Sequence, residues 1–129
     1  YEHIDFAGRI WAFYDFLSFK RRPYDDNGHG THVAGLAAGD GTASMGKYRG
    51  AAPGCGIIAL KVLDRYGNGS QEDVLRAIRW IREYRQQYRI RVVNISVGTT
   101  CNSKWWWSPR RATRVQGLAA SQHQAAAKR

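Results

Sequence analysis

No acidic residue follows Glu83, so the remainder of this 129-residue chain is neutral or basic. The formal net charge is +10. Such a balance admits a basic module that binds nucleic acid or an anionic surface. No nucleic-acid motif accompanies the charge, and a solvated helix face followed by a basic tail accounts for the same residues. No specific nucleic-acid partner is therefore expected. Cysteine is scarce as well, with only Cys55 and Cys101. Two cysteines are too few for a disulfide scaffold or a zinc site, and they can pair only if the fold brings their Cα atoms within about 7 Å. No run of about 18 apolar residues exists, so no membrane span is expected. No basic-then-apolar leader opens the chain. The first residue is Tyr1 rather than Met, so the natural N-terminus is expected to be missing, with removal by processing as the alternative.

What is present up to about Thr100 has the texture of an α/β protein. Residues 29–38 are small and apolar and predict a tightly packed helix. A turn at Gly54, Cys55 and Gly56 precedes residues 57–62, Ile-Ile-Ala-Leu-Lys-Val, which read as a buried strand. Residues 64–69 form a loop punctuated by Gly67 and Gly69. Ser70 followed by Asp73 resembles a capping box and starts a helix expected to run to about Tyr88. Val74, Ile78, Ile81 and Tyr88 supply its apolar face, with arginines outside. Residues 90–97 are rich in β-branched side chains and predict a second strand. Strand, helix and strand make a βαβ unit, which favours a parallel sheet.

The most specific signal spans residues 25–35, Asp-Asp-Asn-Gly-His-Gly-Thr-His-Val-Ala-Gly. Two histidines three apart could share a metal ion on a helix, but no further ligands accompany them at suitable spacing, and no metal is expected. The segment resembles the catalytic-histidine motif of the subtilisin-like serine proteases, the subtilases, whose first histidine is the general base. The resemblance assigns that role to His29 and leaves His32 a structural residue. A serine hydroxyl is a poor nucleophile until a neighbouring imidazole takes its proton, which is the chemistry implied. The resemblance runs over about residues 1–99. It includes Tyr48-Arg49-Gly50-Ala51-Ala52-Pro53 and Asn94-Ile95-Ser96-Val97-Gly98. In the family the latter strand pairs its backbone with an extended substrate, so Ser96, Val97 and Gly98 are the expected substrate-binding residues.

The family's catalytic aspartate lies in an Asp-Ser/Thr-Gly motif expected just before Tyr1, and its serine in a Gly-Thr-Ser-Met-Ala motif. Neither motif occurs here, and Asp5, Asp15, Asp25 and Asp26 lack the required local pattern. Asp25 or Asp26 is expected at most to fix the loop. The resemblance thus implies a partial subtilisin-like parallel sheet flanked by helices, incomplete at both ends, from a serine endopeptidase that cleaves polypeptides. The chain alone is expected to be inactive. The resemblance implies no cofactor; structural calcium occurs in the family, and no residue here is assigned to it. It favours a secreted location. Residues 1–100 are expected as the partial catalytic domain and residues 101–129 as a basic tail rich in Trp, Gln and Ala without a stable element. Trp105, Trp106 and Trp107, shifted by two bases, read as valines, and the following residues back-translate to a run resembling the family's oxyanion-asparagine strand. The tail is therefore expected to be out of frame; the alternative is a genuine tail whose Trp and Arg side chains stack on bases or bind a membrane surface.

Overall fold

The structure is a computed structural model that describes residues 3–99 and 114–117. The chain divides into two compact units, residues 1–61 and 62–129, each of which is described by itself.

The first unit is built on two parallel strands, β1 (Ile10–Asp15) and β2 (Ile57–Lys61), with the helix α1 (His29–Ala38) between them in the chain. Parallel neighbours cannot be joined by a tight turn, and α1 supplies the crossover. The parallel pair runs in register from Ala12 with Ile58 to Asp15 with Lys61, after a bulge at Trp11. The bulge sends the Trp11 ring across Gly56, where a Cβ would lie 2.3 Å from the ring. Phe6, Phe16 and Ala38 form the buried apolar core of this unit.

Helix α1 has the small side chains that a close neighbour requires. Its carbonyl groups at Leu36 and Ala37 accept the amides of Ala51 (3.0 Å) and Ala52 (2.8 Å), and Gly39 accepts that of Gly50 (2.8 Å). Groups at a helix C-terminus that have no partner within the helix are thus taken up by a passing segment. The approach is so close that a Cβ on Gly50 would sit 2.6 Å from both Ala38 N and Gly35 O.

In the second unit, Asp64 Oδ1 accepts the amides of Tyr66 and Asn68, each at 2.9 Å, and shapes the turn into a short strand, β3 (Asn68–Ser70). Helix α2 (Gln71–Tyr84) follows. Ser70 caps it by accepting the Asp73 amide at 3.1 Å. The reciprocal half of a capping box differs from the expected one, because the Asp73 carboxylate accepts from the Ser70 hydroxyl (2.6 Å). Regular α-helix stops at Tyr84, short of the expected Tyr88. Residues 85–89 close the end: Ile90 N donates to Arg85 O (2.9 Å) and Arg89 N to Gln86 O (3.2 Å), with Arg89 at φ 52°. That is a Schellman turn with Arg at the left-handed position usually held by glycine.

Two expectations need correction. Residues 90–96 form no strand; β4 (Val97–Thr99) begins only at Val97 and pairs antiparallel with β5 (Arg114–Gly117), in sheet order β3-β5-β4. A β-branched run becomes a strand only where a neighbour takes its backbone groups, and among the described residues none pairs with 90–96, leaving Val92, Val93 and Ile95 exposed. The βαβ unit is accordingly β1-α1-β2 rather than one built on α2. The tail expected from Cys101 lies outside the described residues except at β5, a strand where no element was expected. The α/β architecture with a parallel pair stands.

Replacing Gly50 by alanine should destabilise the first unit by about 1–3 kcal/mol, because the clash is with backbone of α1 that cannot swing away. Urea unfolding would read this as a lowered midpoint. An unchanged midpoint would mean that residues 50–52 do not pack on α1 in solution.

Candidate active site

His29 is the first residue of α1, preceded by Gly28 at φ 92° and ψ −17°. Only glycine adopts that left-handed conformation at little cost, and glycine brings no side chain to cap the helix. The capping is done from a distance. Asp25 Oδ1 accepts the amides of Asn27 (3.0 Å) and Gly28 (2.8 Å), while Oδ2 accepts the amide (2.8 Å) and hydroxyl (2.6 Å) of Thr31. Asn27 Oδ1 accepts the His29 amide at 3.2 Å, and His32 N closes the first helical turn on Gly28 O at 3.0 Å. The histidine is therefore fixed through its backbone from both sides. Its side chain is half-buried, with Nδ1 shielded from solvent. His32 is exposed on the same helix.

Burial alone would raise the Asp25 carboxyl. The hydrogen bonds from the Thr31 hydroxyl and the amides of Gly28, Thr31 and Asn27 outweigh it and bring the group down to about 2.

The other aspartates of this unit also hold structure. Asp5 Oδ1 accepts the Ala43 amide at 2.7 Å. Asp15 is buried at the end of β1 and bonded to Tyr24. Asp26 pairs with Lys61 at 2.6 Å. Sequence reasoning left open whether Asp25 or Asp26 fixed the loop; both do, by different partners. The signal for Asp25 was its place three residues before a glycine and two before an asparagine, where Asx side chains bond the backbone just ahead. Among the described residues no three His, Cys, Asp or Glu side chains group as metal ligands do, and no helix is long and apolar enough to cross a membrane.

The expected substrate strand lies in the second unit. Ser96 immediately precedes β4, and its hydroxyl accepts from the Asn94 side chain at 2.9 Å. Val97 and Gly98 are the first residues of β4, facing Gly117 and Gln116 of β5. Among the described residues, the order β3-β5-β4 puts this strand at the sheet edge, the position from which a sheet can accept a further strand. Ser96, Val97 and Gly98 are thus brought together by the chain itself, and His29 is held in the first unit.

The family model described as "Subtilase family" matches residues 1–129. Among curated proteins, serine protease AprX of Bacillus subtilis (strain 168) is 45% identical over 86 residues, 67% of this chain and 20% of the relative. Thermophilic serine proteinase of Bacillus sp. (strain AK1) is 38% identical over 103 residues, 80% of this chain and 24% of the relative. Thermitase of Thermoactinomyces vulgaris is 37% identical over 98 residues, 76% of this chain and 33% of the relative. The chain thus spans about a fifth to a third of the length of these relatives.

Because the Asp25 carboxyl is depressed in the folded state from 3.8 to about 2, its contribution to stability is complete above pH 4 and is lost as pH falls from about 4 through 2. A carboxyl-carbon NMR titration should give Asp25 a midpoint near 2. Asp25→Ala should abolish this pH dependence and loosen the first turn of α1. An Asp25 midpoint near 4 would show that the four hydrogen bonds do not persist in solution.

Proposed function

The chain belongs to the subtilase family, and on that premise we propose that it is the histidine-bearing portion of a serine endopeptidase site, with His29 as general base. The reading rests above all on the placement of His29 at the head of α1, behind the turn clasped by Asp25. In the proposed reaction the His29 imidazole accepts the proton of a serine hydroxyl as that oxygen attacks the scissile carbonyl. It then returns the proton to the departing amine. The substrate is an extended polypeptide that adds to the edge at β4, with Ser96, Val97 and Gly98 supplying backbone groups and Gly98 leaving room for its approach.

The serine nucleophile and the aspartate partner belong to motifs absent from these 129 residues. The chain by itself is therefore a carrier of geometry rather than a catalyst. A secreted setting is part of the same proposal, following the habit of the family.

Assayed alone with a peptide substrate and a serine-directed phosphonate, the chain should show neither turnover nor labelling. Turnover blocked by the phosphonate would sink the inactivity claim. In an assembled protease that contains this segment, His29→Ala should lower turnover by about 10⁶, the loss associated with the general base in subtilisin. A loss below about tenfold would remove His29 from the reaction.

A further inference from the structure

The turn that carries His29 is tied to the end of the parallel sheet by contacts that the proton transfer leaves unused. Asp15 closes β1 and is 0% exposed. A buried carboxylate needs hydrogen-bond donors. Asp15 Oδ1 receives the amides of Leu17 (2.8 Å) and Ser18 (3.0 Å), and Oδ2 receives the Tyr24 hydroxyl at 2.6 Å. Lys61, paired with Asp15 across the sheet, places its ammonium 5.0 Å from the Tyr24 ring centre and 2.6 Å from Asp26 Oδ1. Phe13 packs on the same ring at 5.8 Å between centroids.

The consequence is an anchor on each side of Asp25. Tyr24 and Asp26 are held by the C-terminal ends of β1 and β2, and Asp25 between them clasps Asn27, Gly28 and Thr31. We propose that Tyr24 is a positioning residue for His29: its hydrogen bond to Asp15, seconded by the Lys61–Asp26 ion pair, fixes the Asp25 carboxylate where it sets the head of α1. The inference rests on the reading of His29 as general base for its importance to catalysis, but the geometry it asserts is local and is measured without turnover. Burial, then the bond to Asp15 and the charges of Asp15 and Asp26, push the Tyr24 hydroxyl up to about 12, so the donor keeps its proton at any pH at which the protein would work.

The test is amide hydrogen exchange on the full chain, with the His29 imidazole followed by NMR. In Tyr24→Phe, which keeps the ring against Phe13, exchange at Gly28, His29, Thr31 and His32 should accelerate about tenfold. The His29 imidazole resonances should shift, while amides of β1 and β2 keep their rates. Asp15→Asn should hold the turn within about threefold of the parent, because an asparagine amide can hydrogen-bond the Tyr24 oxygen with the donor role reversed. Equal acceleration across β1, β2 and the turn would overturn the proposal, since Tyr24 would then support only the stability of the unit. Unchanged rates at the turn would overturn it as well. Should Tyr24→Phe fail to fold, Asp26→Asn on the more exposed side of the anchor decides. About threefold acceleration confined to the turn is expected, and no change overturns the proposal. Failure of the general-base reading would appear separately, as turnover surviving His29→Ala in an assembled protease with the exchange pattern intact.

Discussion

The carboxylate of Asp25 replaces an ordinary helix cap. Ser, Thr, Asp or Asn at the N-cap would accept an amide of the first turn with its own side chain. Here the N-cap is Gly28, which has none. Asp25, three residues earlier, reaches forward to the Thr31 amide and hydroxyl and also gathers the amides of Asn27 and Gly28. Separating the capping group from the cap position leaves His29 with glycine on both sides. In the proposed role, an imidazole at the first helical residue needs such open flanks for a nucleophile and a substrate. It also needs a rigid backbone, which glycines alone do not give. The four hydrogen bonds to one carboxylate supply the rigidity that the glycines remove.

The other end of α1 obeys the same constraint by different means. Its last carbonyls are taken by residues 50–52, a segment that approaches closely because Gly50 has no side chain. The helix is therefore held at its head by Asp25 and at its tail by backbone contact. Little side-chain packing is available along such a small-residue helix, of which only Ala38 is buried. Directional bonds at the two ends take over a role that apolar burial fills in most helices. The rest of the unit provides the fixed points: the parallel pair β1 and β2 ends at Asp15 and Lys61, and both of those side chains reach into the loop before His29.

Much that depends on local sequence is legible in it. The helix over residues 29–38, the strand at β2 and the Ser70 cap all show in the sequence around them, and the structure has them. Apart from the end of α2, the misreadings involve partners far away in the chain. Residues 90–96 have the composition of a strand, but pairing begins only where β5 meets Val97. The sequence reading assigns no element to residues 10–15, although β1 carries the parallel pairing. Nothing local marks Tyr24, because its value comes from Asp15, nine residues back, and from Lys61 on the neighbouring strand. Regular helix α2 ends at Tyr84, yet its Schellman turn carries the chain to Ile90, with Arg89 where glycine would have been the signal.

Preorganisation follows from where these partners lie. Every named contact that holds the His29 turn comes from residues 15–61 of the first unit. None of them needs a serine, a substrate or the β4 edge. A general base is effective when its position is set before the reaction begins, so that no binding energy is spent on ordering it. In this chain the ordering is written into one loop, anchored on a sheet end and closed by a carboxylate held near a pKa of 2. In the proposed reaction a nucleophile is brought to that imidazole. That reaction does not require the nucleophile to build the place where the imidazole stands.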